Sequence, residues 1–125
     1  MGQYNDVEIG VGRHCISAPA ATMIFEEAIA CGAAKVFEVG LSGGLQTFLK
    51  PGDMVVVTKA IRDEGTSYHY PPPGVKVESS TRLRELLIKC SNEGKIRHFV
   101  GPVWSTDGVY RETLNKFRQF RDGAS

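Results

Sequence analysis

Two places in this 125-residue chain combine residue types that could do chemistry. The first is Gly40-Leu41-Ser42-Gly43-Gly44, which follows Lys35 to Val39, a stretch rich in β-branched and aromatic residues. Its glycines let a ligand approach the main chain closely, and Ser42 can both donate and accept a hydrogen bond, as a sugar hydroxyl or a heterocycle edge requires. A tight connection between two elements reads the same way. The second is Ser105-Thr106-Asp107, where the carboxylate could serve as a general acid. With no partner identified, Asp107 reads rather as a residue that shapes a strand end and its loop. His14, His69 and His98 are scattered without metal-ligand spacing, so no metal is expected. Cys15, Cys31 and Cys90 are odd in number and lack a Cys-x-x-Cys pair, and are expected to be reduced, buried thiols.

The elements that must position these residues follow from periodicity. Val7, Ile9 and Val11 alternate with Glu8 and Gly10, which predicts a strand with a buried face. Pro19 suits the first turn of a helix carrying Ala21, Ile24, Phe25, Ala28 and Ile29 at helical spacing, with Gly32 free to end it at positive φ. Lys35 to Val39 reads as a second strand, parallel to the first through this crossover. Lys50-Pro51-Gly52-Asp53 predicts a turn, and Met54 to Thr58 a strand covered on both faces. Residues 62–78 form a long loop containing Gly65 and Pro71-Pro72-Pro73-Gly74, a length usually functional or interfacial. Ser79 or Ser80 caps a helix with Leu83, Leu86, Leu87 and Cys90 on one face, stopped by Asn92 to Gly94. Ile96 to Trp104 is a further strand, and Thr113 to Phe120 a short, partly basic helix. The expected fold class is α/β, a mixed and mainly parallel central sheet flanked by helices, in a single domain over residues 1–125. In such sheets ligands gather at the carboxyl ends of strands, where Gly40 to Gly44 would lie.

Composition narrows the partners. A formal net charge of +1 supplies no concentrated basic field for nucleic acid or an anionic membrane. No apolar stretch approaches the ~20 residues of a membrane span, and Met1 to Gly12 has no basic start followed by a long apolar run. A cytoplasmic protein that meets a small ligand or another protein is expected.

Several segments, in order along nearly the whole chain, resemble the nucleoside phosphorylase family that includes purine nucleoside and uridine phosphorylases. They are His14-Cys15-Ile16-Ser17-Ala18-Pro19, the helix ending near Glu26-Glu27, the glycine turn, Lys50-Pro51-Gly52-Asp53, and Arg62-Asp63-Glu64-Gly65-Thr66-Ser67-Tyr68-His69-Tyr70. Gly101 to Asp107 and Tyr110-Arg111-Glu112-Thr113 complete the series. The resemblance is to the central part of a longer domain, and so to a truncated form of that fold. It implies phosphate cleavage of an N-glycosidic bond, dimers or rings of dimers, and no cofactor. It also assigns Ser42 and Gly43 to a nucleoside-contacting turn, and Val109 to a position where an aromatic often stacks on the base.

Departures from the pattern bear on activity. Where family members resemble Arg-x-Gly-Thr, the arginine and threonine holding phosphate, this chain has Glu38 and Leu41. Unit charges of like sign at about 4 Å repel by about 4 kcal/mol at an effective dielectric near 20, so a phosphate beside ionised Glu38 would be disfavoured. Cys15 and Ser17 replace glycines of the amino-terminal loop. The family's early glycine-arginine loop, its Glu-Met-Glu ribose clamp and its later catalytic aspartate match nothing in this chain, so the resemblance assigns no catalytic residue and no phosphate ligand here. Three expectations follow: a nucleoside- or base-binding protein without phosphorolysis of its own; an active nucleosidase or phosphorylase completed by oligomerisation or by a partner; or a structural protein whose main property is association, as a homodimer or larger.

Overall fold

The computed structural model describes residues 1–122, which divide into two compact units, Met1–Val39 and Gly40 onward.

The first unit begins as a hairpin. Strands β1 (Gly2–Tyr4) and β2 (Val7–Ile9) pair antiparallel, with Gln3 opposite Glu8. Asn5 and Asp6 between them lie at φ 45° and 62°. A two-residue hairpin turn of type I′ demands positive φ at both positions, and Asn and Asp tolerate it because their side chains bond locally. The alternation of Val7, Ile9 and Val11 thus yields a strand, but its expected buried face is absent: Val7 is 61% and Val11 91% exposed. Helix α1 (Ala18–Ala30) is capped by Ser17, whose hydroxyl accepts from the Ala20 amide at 3.2 Å, and Pro19 sits in its first turn. It ends as expected at Gly32 (φ 97°), where the Ala33 amide returns to the Ala28 carbonyl at 2.9 Å. That pattern needs a left-handed residue, which glycine supplies without a Cβ clash. Residues 35–39 do not form the predicted second strand, and the strand-helix-strand crossover is not made. A strand is held by ladder bonds to a neighbour, and β2 is paired with β1 instead.

The second unit is built on a three-stranded sheet in the order β4-β3-β5. The turn at Lys50 to Asp53 forms as read: the Asp53 carboxylate accepts from the Lys50 amide at 2.8 Å, and Gly52 takes φ 91°. Strand β3 (Met54–Asp63) then runs twice as far as the valine run suggested. It pairs parallel with β5 (His98–Thr106) and, at Lys59 and Ala60 only, antiparallel with β4 (Val77–Glu78). The sheet is therefore mixed and α/β in class. Between Val57↔Gly101 and Ala60↔Val103 the register slips by one residue, with Pro102 on the short side. A proline has no amide to donate, and a bulge is where a strand tolerates it. Val56 is the buried apolar side chain of this sheet at 4% exposure, while Val57 is 37% exposed, so β3 is not covered on both faces as expected.

Helix α2 (Thr81–Glu93) packs on β3. Ser80 caps it by accepting from the Leu83 amide, while the Ser79 hydroxyl donates to the Val57 carbonyl at 2.6 Å. The covered stripe is Leu83, Arg84, Ile88 and Ser91, rotated from the predicted one: Leu86 and Leu87 are 48% and 40% exposed and Cys90 is exposed. Ser91 can be buried because its hydroxyl donates to the Leu87 carbonyl at 2.7 Å. Helix α3 (Leu114–Asp122) closes the described chain. The free thiols are corrected too: Cys15, Cys31 and Cys90 are all exposed, not buried.

Candidate functional site

Parallel pairing of β3 and β5 brings their carboxyl ends side by side, Asp63 level with Thr106. The backbone leaves the sheet there in two loops, Glu64 to Tyr70 and Asp107 to Thr113. Each loop is tied to its neighbourhood by a carboxylate.

Asp63 joins three elements. Its Oδ2 accepts from the Trp104 indole of β5 at 3.1 Å and from Lys116 Nζ of α3 at 2.7 Å. Trp104 in turn packs on Phe120 of α3 with ring centroids 4.8 Å apart. The Lys116 hydrogen bond, opposed by partial burial and helped by the bonds from Trp104 and Thr106, holds the Asp63 carboxyl below the ordinary aspartate range. Glu64, the next residue, is 8% exposed. Burial pushes its carboxyl up, but hydrogen bonding from Ser67 and the Thr66 amide outweighs it, and the group ends below its ordinary value. Asp107 Oδ2 accepts from the Gly65 amide at 2.8 Å, which ties the loop after β5 to the loop after β3. The role expected of Asp107, shaping the strand end, is the one this geometry describes.

Arg62, the last but one residue of β3, reaches the other way. Its Nε donates to the Ser67 hydroxyl at 2.8 Å, Nη2 to the Pro71 carbonyl at 2.7 Å, and Nη1 to the carbonyls of Pro72 and Val75 at 3.1 and 3.4 Å. The guanidinium lies 4.1 Å from the centre of the Tyr68 ring, whose hydroxyl donates to the Arg62 carbonyl at 3.1 Å. A planar fork of five donors suits such convergent carbonyls as an ammonium would not. Arg62 and Lys116, the cations tied to these strand ends, are both committed to protein acceptors.

None of the residues assigned by resemblance lies in a strand or an α-helix. Ser42 and Gly43 lie in an exposed irregular stretch of the second unit, and Leu41 beside them is fully exposed. Because residues 35–39 form no strand, this turn does not leave a strand end. Val109 opens the 3-10 turn Val109–Arg111 after β5 and is 63% exposed. Glu38, in the first unit, points Oε1 at His14 Nε2, 3.4 Å away, while His14 Nδ1 lies 2.8 Å from the Cys15 carbonyl. Among the described residues no cluster of His, Cys, Asp and Glu could hold a metal ion. Sequence reasoning missed the Asp63 junction; the signal available was the spacing that makes Met54 to Asp63 and His98 to Thr106 parallel partners.

The pattern that describes the phosphorylase superfamily matches residues 1–124. The chain belongs to that superfamily. It is 34% identical over 109 residues to the uridine phosphorylase of Treponema pallidum, an alignment covering 87% of this chain and 42% of that protein. It is 30% identical over 109 residues to the uridine phosphorylase of Thermococcus kodakarensis, covering 87% and 39%, and 32% identical over 111 residues to the guanosine phosphorylase of Halorubrum lacusprofundi, covering 88% and 46%. The chain spans about two-fifths of the length of the curated relatives it matches. The resemblance over Arg62 to Tyr70 and Gly101 to Thr113 therefore falls, in this superfamily member, on the paired carboxyl ends of β3 and β5.

Proposed function

We propose that this protein binds a nucleoside or free base and does not carry out phosphorolysis by itself. The reading is supported by the family resemblance, which puts Glu38 where phosphate-using members carry an arginine, together with the observation that the Glu38 carboxylate faces His14 at 3.4 Å. Leu41, in the place of the threonine, offers no donor. Lys116 and Arg62 offer no substitute, since their charges are neutralised or saturated by Asp63 and by four protein acceptors. Moving either to a phosphate would break the bonds it now makes, and a hydrogen bond to a charged group is worth about 1.5–3 kcal/mol. Ser42, Gly43 and Val109 are the residues proposed to contact the ligand, with no cofactor or metal. Association into a homodimer or larger assembly in the cytoplasm belongs to the same reading, and no helix among the described residues is long and apolar enough to cross a membrane.

The test is base release from uridine, guanosine and related nucleosides, followed chromatographically with phosphate and in phosphate-free buffer. No release in either is expected. Release that requires phosphate overturns the reading, and release without phosphate replaces it with hydrolysis in a completed site.

A further inference from the structure

Asp107 and Gly108 stand side by side in the loop after β5, and each has a structural reason of its own to be there. Asp107 Oδ2 accepts from the Gly65 amide at 2.8 Å, which ties this loop to the one after β3. Gly108 answers a need for room: a Cβ on it would meet Arg111 Cβ at 3.1 Å and Cγ at 3.3 Å. The two demands place an aspartate directly before a glycine. In that pair the side-chain carboxyl is open to attack by the next backbone nitrogen, since glycine has no side chain to shield its amide.

The same loop engages both reacting groups. Ring closure between the Asp107 carboxyl carbon and the Gly108 nitrogen needs the two atoms about 3–3.5 Å apart with their orbitals aligned. Here the carboxylate is turned to Gly65, and the Gly108 N–H donates to Thr106 Oγ1 at 3.2 Å. Neither group is free to react while both bonds stand.

We propose that Asp107-Gly108 is a site of spontaneous covalent isomerisation, gated by the bonds to Gly65 and Thr106. When the loop opens, the Gly108 nitrogen bonds to Asp107 Cγ, and the amide proton, one carboxyl oxygen and a proton from solvent leave as water. Water then opens the cyclic imide at either carbonyl. Breaking the bond from nitrogen to Cγ restores aspartate. Breaking the bond from nitrogen to the α-carbonyl carbon leaves the main chain running through Cγ, one methylene longer, with the free carboxylate on Cα. That carboxylate has lost its reach to Gly65, so the two strand-end loops come untied. The inference stands apart from the ligand-binding reading.

Incubation of the whole chain at physiological temperature, folded and in urea, with peptide mapping for isoaspartate, tests it. Asp122-Gly123 is the other Asp-Gly pair of the sequence and serves as the reference within each sample. In urea both pairs are expected to isomerise at similar rates. In the folded chain Asp107 is expected to isomerise at least about tenfold more slowly than in urea, because reaction from an open state follows the population of that state. Thr106→Val removes the acceptor of the Gly108 amide at nearly constant volume, and is expected to raise the folded-state rate several-fold while leaving the rate in urea unchanged. Hydrogen exchange reads the consequence: the Gly65 amide is expected to be protected in the fresh protein and to exchange freely in the isomerised fraction. Equal rates at Asp107 in the folded and unfolded chain overturn the gating, as does a Thr106→Val rate equal to the parent's. A Gly65 amide still protected after isomerisation overturns the untying, and an Asp107 stable in urea where Asp122 isomerises overturns the site.

Discussion

At the level of single residues, Asp63 is the junction on which the strand ends depend. Its carboxylate accepts from Trp104 of β5 and Lys116 of α3, and charge-assisted bonds of this kind are stronger than neutral ones. Because the folded pKa is depressed below 3.8, the ionised form stabilises the fold at pH values above the unfolded value. That contribution is lost as pH falls through the folded value. Asp63→Asn should therefore cost about 1 kcal/mol at neutral pH, the pair being partly solvated, and should flatten the acid side of the stability profile below about pH 4. Urea unfolding at stepped pH checks both; parallel curves for the parent and the variant would contradict the assignment. Asp63 was not legible as a junction in the sequence, because its partners lie 41 and 53 residues away. Arg62 was visible only as part of a resembling segment, since nothing local announces a guanidinium gripping the carbonyls of Pro71, Pro72 and Val75. Ser80, by contrast, was readable, because a cap acts within three residues of itself; Ser17 makes the same contact but stood in the sequence only as a residue replacing a glycine.

Among the elements, the two longer helices make the same C-terminal stop with different residues. In α1 the left-handed position is Gly32, as the sequence suggested; in α2 it is Lys95 at φ 53°, not Gly94 at φ −77°. The Ile96 amide returns to the Ser91 carbonyl at 2.8 Å, the counterpart of Ala33 to Ala28 in α1. A lysine there bears the Cβ clash that glycine avoids, so Lys95→Gly should stabilise the protein by about 0.5–1 kcal/mol. A rise in the urea midpoint without a change in slope is the expected result, and a fall would show that the Lys95 side chain makes an outweighing contact. The helices and turns were legible because their signals are local. The strands were less so: Lys35 to Val39 has the composition of a strand and no ladder partner, and β3 outran its valine run because β5 offers it partners as far as Thr106. Strand pairing is decided by what lies alongside, which periodicity does not report.

For the molecule as a whole, superfamily membership was legible in the order of short segments, and the uncovered surface was not. A sequence pattern says which faces are apolar; it does not say whether this chain or another one covers them. The same holds for function. Glu38 and Leu41 could be compared with phosphate-holding residues from sequence, but only the structure shows Arg62 and Lys116 committed elsewhere. The central claim is a ligand site without an anion site, and calorimetric titration of the purified protein with purine and pyrimidine nucleosides, with and without phosphate, tests it most directly. The account predicts that at least one nucleoside binds with an affinity that phosphate leaves unchanged. Binding that appears or tightens only when phosphate is present would contradict it, as would the absence of binding by every nucleoside tried.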